Sequence, residues 1–468
     1  MVTAVEVRTR QGTVRGTTRD GVAAFRGIPY AAPPVGDLLF AAPAPAAPWD
    51  GVREATAFGP TAPKAPYEEP FATLLPDPVV PGDGCLNLNV WTPDPAPGAR
   101  LPVMVWIHGG ALTRGSSAVP VYDGSAFARD GVVLVSLNYR LGAAGYGLFP
   151  DAVPNRGLLD QIAALEWVRE NIERFGGDPD RVTVFGESAG AISIGALLAA
   201  PPARGLFRQA VLQSGAPEAT PRDKVRAITR RMAARLKVPA TAAAFARQPV
   251  ARLIEAQAAV LRRSSPLIGG PAFGIVEDGH TVPGDPLERL VSGRAAADVP
   301  LLLGWTTEEY RLWLAPTGLL GHLDRLGPLT LALGAARART PLAAVRARAA
   351  ASPGTGAGEV VGRLLTDHLL RDPLRRLAAA PARTAPAHVY SFGWPSGIPG
   401  LGACHALELG FVFDTLGMPT ADSLSGPGAP QPLADAMHTA WVAYATTGEP
   451  GWTPWHRAPA AHTFTYPA

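Results

Sequence analysis

Short, continuous apolar runs alternate with helical periodicity in the middle of the chain. The runs cover residues 103–107, 132–137 and 182–185, and further candidate strands follow at 210–213, 299–303 and 388–392. Between them, residues 158–175 place apolar side chains at steps of three and four, which marks one face of a helix. Continuous apolar strands indicate burial on both faces, and alternation with helices indicates parallel βαβ units. The pattern predicts an α/β fold with a central, mostly parallel sheet and helices on both faces.

Other segments interrupt this order. Residues 59–83 are rich in proline and predict a long surface loop. Residues 322–385 are rich in Ala, Arg, Leu and Gly, which favours amphipathic helices with solvated arginines over a nucleic-acid patch. With 47% hydrophobic residues the chain can bury a large core. We expect one domain over residues 1–468, with helical insertions around 220–295 and 315–385.

Charge and composition exclude several classes of partner. The chain has 42 basic and 39 acidic residues, and a net charge of +3 gives no strong field for nucleic acid or anionic membranes. The apolar stretch 189–200 is too short for a bilayer, which needs about 20 residues. Two cysteines cannot form a disulfide framework, and no signal peptide is visible. These features predict a cytoplasmic protein without nucleic-acid or membrane partners, and they leave the oligomeric state open.

The candidate nucleophile lies between a predicted strand and a predicted helix. The sequence there reads Gly186-Glu187-Ser188-Ala189-Gly190. A serine on such a tight strand-to-helix turn has an exposed hydroxyl, and the following helix points N–H groups towards developing negative charge. The pattern predicts that Ser188 is a catalytic nucleophile.

Longer blocks around this serine resemble the type-B carboxylesterase family of α/β-hydrolases, which includes acetylcholinesterases and bacterial para-nitrobenzyl esterases. The resemblance runs from about residue 5 to about residue 466. It is carried by Phe25-Arg26-Gly27-Ile28-Pro29-Tyr30, by Cys85-Leu86-Asn87-Leu88-Asn89-Val90-Trp91-Thr92-Pro93, by Asn138-Tyr139-Arg140-Leu141-Gly142, and by Phe175-Gly176-Gly177-Asp178-Pro179. It implies the α/β-hydrolase fold.

A serine hydroxyl needs a base and an orienting acid, which in α/β-hydrolases follow in the order serine, acid, histidine. The segment that follows the strand at 299–303 resembles the family block that ends in its catalytic glutamate, which implies Glu309. Composition alone does not separate Glu309 from Glu308. Among nine histidines, His405 lies in a block that resembles the family's catalytic histidine block, whereas His108 precedes the acid and is expected to be structural.

The resemblance also implies the remaining site residues. The backbone N–H groups of Gly110, Ala111 and Ala189 would form an oxyanion hole, and Ser214 and Glu187 would support the triad. Candidate walls of the substrate pocket are Leu112, Phe273, Trp313 and Phe411. The chemistry requires no metal or organic cofactor.

The chain departs from the family near residues 62–82. Ala62 stands where secreted relatives carry a cysteine, so Cys85 is expected to be unpaired. The ion pair at the base of the loop is expected to be missing too, since the positions read Leu39 and Gly84. We expect this loop to be mobile and able to gate the site; stiffening by its prolines is the alternative.

The sequence thus predicts a serine hydrolase of small, largely uncharged esters, acting through an acyl-enzyme on Ser188. Activity should rise with pH through an apparent pKa of roughly 6 to 7, because His405 must be neutral. Hydrolysis of amides, carbamates or other specialised esters by the same triad stays open. A non-catalytic binding or scaffold relative is disfavoured because all three triad members are present.

Overall fold

The computed structural model describes residues 2–262, 265, 269–270 and 272–466, and part of the insertion expected around 220–295 lies outside these residues. In the described residues one sheet contains twelve strands. The strands are β1 (Thr3–Arg8), β2 (Thr13–Arg19), β3 (Val22–Pro29), β4 (Val52–Glu54), β5 (Asn87–Thr92), β6 (Leu101–Ile107), β7 (Val133–Leu137), β8 (Gly177–Glu187), β9 (Gln209–Gln213), β10 (Leu301–Thr306), β11 (Ala387–Phe392) and β12 (His462–Phe464).

The sheet is parallel where the site lies. Its order is β1-β2-β3-β5-β7-β6-β8-β9-β10-β11-β12, and β4 pairs with β2. From β7 to β12 every neighbouring pair is parallel, whereas β1, β2, β3, β5 and β7 pair antiparallel in turn. Parallel strands align their carboxyl ends at one edge, where ligands bind in open α/β sheets. The predicted mostly parallel sheet is confirmed, with an antiparallel edge that the sequence analysis did not predict.

Helices connect these strands. They are α1 (Phe71–Leu74), α2 (Ser125–Arg129), α3 (Gly142–Tyr146), α4 (Arg156–Asn171), α5 (Ala189–Ala199), α6 (Arg222–Leu236), α7 (Ala242–Ala246), α8 (Val250–Leu261), α9 (Pro286–Val291), α10 (Arg311–Leu314), α11 (Leu319–Leu326), α12 (Pro328–Arg337), α13 (Leu342–Ala350), α14 (Ala357–Thr366), α15 (Asp372–Ala378), α16 (Leu409–Val412), α17 (Pro419–Ser425) and α18 (Gln431–Thr447). Within the described residues, no helix is long and apolar enough to cross a membrane.

The two faces of the sheet are covered by different helices. Along β6, Val105 and Ile107 belong to one apolar cluster with α4 and α5, whereas Met104 and Trp106 belong to another with α2 and α18. All four side chains have no exposed surface. Burial on both faces explains why the strand reads as a continuous apolar run rather than an alternating one.

The helices between β10 and β11 have a core of their own. Tyr310 and Leu314 pack with Val345, Val360 and Leu364 in a cluster separate from the two that cover the sheet. This small core takes up part of the Ala- and Leu-rich composition of residues 322–385. Most arginines of this segment are exposed, as the sequence predicts, but Arg371 and Arg383 are half-buried and donate to backbone carbonyls.

The proline-rich loop at 59–83 is tied to the protein. Lys64 and Asp77 form an ion pair inside it, with only 1% and 5% of their side chains exposed. Lys64 Nζ also donates to Gly115 O at 2.9 Å, and Asp77 Oδ2 accepts from Gly115 N at 3.2 Å. Cys85 is free and buried, as expected. These contacts favour the stiffened loop over the mobile one, and the ion pair adds a tie that the sequence analysis missed.

Candidate active site

Ser188 occupies a strained turn at the carboxyl end of β8. Its φ is +55° and its ψ is −120°, and it caps the N-terminus of α5. The turn is held by Ser188 N, which donates to Gln213 O at 2.9 Å. A Cβ at Gly190 would lie 2.0 Å from the carbonyl oxygen of Ile107, so the glycine allows α5 to approach β6. Strain of this kind clusters at functional sites, and the geometry is that of a nucleophile elbow.

Glu309 and His405 are brought together by loops that follow β10 and β11. Glu309 Oε2 lies 2.6 Å from His405 Nδ1, and Glu309 Oε1 accepts from Thr306 N at 2.8 Å. Glu309 has no exposed surface, and His405 has 6%. A hydrogen bond from Nδ1 to a carboxylate leaves Nε2 available as a base.

Glu308 has a different role. Its Oε1 pairs with Arg311 Nε at 2.7 Å, and its Oε2 accepts from Ala403 N at 3.0 Å. Glu308 therefore contacts the loop before His405 rather than the imidazole. The geometry separates the two neighbouring glutamates, which composition alone did not.

The other nitrogen of His405 faces a second carboxylate. Glu187 Oε1 lies 2.8 Å from Nε2, although it is not aligned as a hydrogen bond. Ser188, the next residue, forms no hydrogen bond through its hydroxyl within the described part of the chain. Ser188 is thus the neighbour of Glu187, which contacts His405, but Ser188 and His405 are not themselves hydrogen-bonded. Catalytic hydrogen bonds often tighten only when substrate is bound.

A third buried carboxylate, Glu408, was not among the predicted site residues. It has no exposed surface, and its Oε1 accepts from Gln213 Nε2 at 3.2 Å. Burial first, and then Glu187 and Glu309, raise the pKa of Glu408 to about 8. Glu408 is therefore largely protonated at neutral pH. Its position three residues after His405, within the same block, was the available signal.

Ser214 is buried beside Glu309. Its φ is +50°, and its backbone N donates to Gly304 O at 2.8 Å. Its Oγ has no hydrogen-bond partner among the described residues. Thr306 N is the aligned donor to the Glu309 carboxylate, and the Ser214 hydroxyl lies close enough to help lower the pKa of that carboxyl.

Two carboxylates set the charge state of His405. Burial alone lowers the pKa of His405, but Glu187 and Glu309 outweigh it and hold that pKa well above its usual value of 6.5. Burial acts to raise the pKa of Glu309, but His405 outweighs it, so that pKa lies below its ordinary value. The structure therefore moves our prediction for the apparent pKa of activity above the value of roughly 6 to 7 expected from the sequence.

The pH dependence of kcat/KM provides a test. Because only neutral His405 can take a proton, activity in the free enzyme should rise with pH through an apparent pKa above that of a free imidazole. Glu187→Gln removes one of the two carboxylates and should move this rise to lower pH, measured as kcat/KM on an uncharged ester. Glu308→Gln is the matched control, since its carboxylate pairs with Arg311, and it should leave the rise in place. An unmoved profile in Glu187→Gln would contradict the assignment of Glu187.

The turn at residues 110–115 lies beside the nucleophile. Gly110, Ala111 and Leu112 have φ values of +109°, +53° and +59°. A Cβ at Gly109 would lie 3.2 Å from Ser188 Cβ, so the backbone that precedes the turn reaches the nucleophile. The N–H groups of Gly110 and Ala111 donate to no acceptor in the described residues. Together with Ala189 N at the start of α5, they are the predicted oxyanion donors.

His108 lies next to this turn and contacts Gly109 and Tyr139. Its Nδ1 lies 2.8 Å from Gly109 O, and its ring stacks on Tyr139 with centroids 4.5 Å apart. Burial lowers the pKa of His108 to about 3, so the ring is neutral. The structure agrees with a structural role.

The predicted pocket walls divide into two groups. The Trp313 ring centroid lies 4.7 Å from that of His405, and Leu112 belongs to the 110–115 turn. Phe411 is fully buried and packs on Phe392 and Trp394, an ordinary core position. Phe273 is 5% exposed and belongs to the main apolar cluster. Leu112 is 4% exposed and belongs to the same apolar cluster as Phe273, so among the four predicted walls only Trp313 has a ring contact with His405.

Comparisons with known proteins agree with this geometry. The sequence profile of the Carboxylesterase family matches residues 3–325. The chain is 39% identical to a para-nitrobenzyl esterase of Bacillus subtilis, over 95% of this chain and 90% of the relative. It is 37% identical to a phenmedipham hydrolase of Pseudarthrobacter oxydans, over 96% and 91%.

Solved structures give the same result. A carboxylesterase of Geobacillus stearothermophilus superposes with a TM-score of 0.83 at 36% identity, covering 98% of this chain and 96% of the other. The family profile, the full-length relatives and the superposition confirm the resemblance in the sequence: the chain belongs to the carboxylesterase family.

Proposed function

We propose that this carboxylesterase hydrolyses small, largely uncharged esters through an acyl-enzyme on Ser188. The observation that carries the proposal is the 2.6 Å contact between Glu309 Oε2 and His405 Nδ1, set beside the strained Ser188 turn. All three members of a Ser-His-Glu triad are present, which disfavours a non-catalytic scaffold role.

The reaction would proceed in two halves. Ser188 Oγ attacks the ester carbonyl while His405 Nε2 takes its proton, and the alcohol leaves with that proton as the acyl-enzyme forms. Water then attacks the acyl group with His405 as base, and the carboxylic acid and free Ser188 result. Glu187 Oε1, now 2.8 Å from Nε2, must give way to the Ser188 hydroxyl before the first step.

The tetrahedral intermediates carry an oxyanion. The N–H groups of Gly110, Ala111 and Ala189 are the proposed donors, since the first two are unused and the third opens α5. Fixed backbone donors of this kind act without reorganisation during the reaction.

The charge of the site supports uncharged substrates. Glu187 and Glu309 are both buried against the single imidazole of His405, so an ester that carries a carboxylate would be repelled. Trp313, half-buried with its ring against that of His405, offers apolar surface instead. We also propose a cytoplasmic location, which fits the two free, buried cysteines Cys85 and Cys404.

A panel of nitrophenyl esters with rising acyl length tests the substrate class, with the matching nitroanilide as the amide analogue. We expect hydrolysis of the short esters and far slower release from the anilide, because an amine is a poorer leaving group. No nitrophenol release above that of Ser188→Ala would contradict the ester assignment. Faster turnover of the anilide would move the assignment to amide hydrolysis.

A further inference from the structure

The 110–115 turn is in a conformation that needs support. Ala111 and Leu112 both have positive φ, in the left-handed region that is unfavourable for residues other than glycine. Such strain persists only where the surroundings determine the backbone. The N-terminal half of the turn is held by Arg114 N, which donates to Gly110 O at 2.9 Å, and by Gly142 N, which donates to Leu112 O at 2.7 Å.

The C-terminal end of the turn is held by the 59–83 loop. Lys64 Nζ donates to the Gly115 carbonyl at 2.9 Å, and Asp77 Oδ2 accepts from the Gly115 N–H at 3.2 Å. Lys64 and Asp77 also pair with each other, with 1% and 5% of their side chains exposed. Both polar backbone atoms of one residue are thus bound by the two members of one buried ion pair.

Gly115 transmits this contact to the nucleophile's surroundings. A Cβ at Gly115 would lie 2.5 Å from Gly109 O and 2.6 Å from His108 Nδ1, so these backbones are in close contact. Gly109 in turn lies against Ser188. A displacement of Gly115 would therefore reach the donors at Gly110 and Ala111 within a few residues.

We propose that Lys64 and Asp77 are positioning residues that clamp the 110–115 turn in its oxyanion-binding conformation. The inference rests on the proposed function, because it assigns a purpose to the donors named there. A buried ion pair contributes little net stability, since desolvation offsets its attraction. A contact that only fixed the loop would not need both charged side chains bound to the same residue, Gly115.

The test is the double variant Lys64→Met with Asp77→Leu, which replaces both charges by apolar groups of similar size. Such replacements are often neutral for stability. We expect kcat to fall by about 10- to 100-fold because the donors shift, with KM changed by less than about twofold. The affinity for a trifluoromethyl ketone, whose serine adduct carries an oxyanion, should fall by a similar factor. Binding of the nitroanilide, the neutral amide analogue, should stay unchanged.

Thr61→Val is the matched control. Thr61 Oγ1 accepts from Val80 N at 3.2 Å and ties the same loop without touching the turn. This variant should keep wild-type kcat and ketone affinity. Equal losses in Thr61→Val and the double variant would overturn the proposal, since any loosening of the loop would then suffice.

If the double variant fails to fold, single variants test the same proposal. Asp77→Asn keeps an acceptor for Gly115 N–H and should retain more kcat than Asp77→Ala, at equal KM. Equal kcat in these two, or wild-type kcat and ketone affinity in a folded double variant, would overturn the clamp. If Ser188→Ala is inactive in the same assays, the proposed function stands even when the clamp fails. Activity in Ser188→Ala would instead overturn the function and the clamp together.

Discussion

Replacing Ser188 by alanine is expected to lower kcat by about four to six orders of magnitude. The hydroxyl is the proposed nucleophile, and the remaining groups can only bind the ester and stabilise an oxyanion formed by water. The measurement is the release of nitrophenol from a short ester, followed over hours with enzyme in excess over substrate.

The fold should survive this substitution. Ser188 has a φ of +55°, and its backbone N is held by Gln213 O, a bond that alanine keeps. Thermal unfolding of both proteins is the control for folding. A phosphonate that labels serine nucleophiles should modify the wild type once and leave Ser188→Ala unmodified. Labelling or hydrolysis at the wild-type level in the variant would assign the nucleophile elsewhere.

Replacing Glu309 by glutamine should lower kcat by about three to four orders of magnitude. The Glu309 Oε1 atom accepts from Thr306 N, and an amide oxygen can retain that bond. The amide NH₂ would then face His405 Nδ1 at the position of Oε2, which now lies 2.6 Å away. This favours the imidazole tautomer with its proton on Nε2, so the base is lost, and no carboxylate remains to stabilise the imidazolium.

Glu308→Gln separates this effect from a general loss of charge. Glu308 pairs with Arg311 and contacts Ala403 N, so its loss should change kcat by less than about tenfold. The comparison is made on kcat for the same ester, with unfolding temperature as the check on structure. A large loss in Glu308→Gln with an active Glu309→Gln would reverse the assignment of the catalytic acid.

Much of the fold could be predicted because burial on both faces of the sheet leaves continuous apolar runs in the sequence. β6 is apolar on both faces and β8 is buried on both faces over residues 182–185, so these runs predicted central parallel strands. Ser188 was readable because a strand, two glycines and a helix all constrain the same turn. The position of Glu309 depended on the resemblance, since Glu308 and Glu309 follow the same strand and only the folded turn decides which one faces His405.

The parts that sequence reasoning missed depend on contacts between residues without a shared period. Lys64 and Asp77 lie 13 positions apart in an irregular loop, and no repeat marks them as partners. The contact between Glu187 and His405 joins two elements far apart in the chain. Phe411 follows His405 closely, but its side chain turns into the core rather than towards the site.

The burial of Lys64 also bears on attaching this protein to a surface. The chain has only three lysines, and the side chain of Lys64 is 1% exposed and engaged with Asp77. The other two, Lys224 and Lys237, are exposed, one on α6 and the other at its C-terminal cap. Among lysine side chains, amine-directed coupling would therefore be confined to α6 and its C-terminal cap.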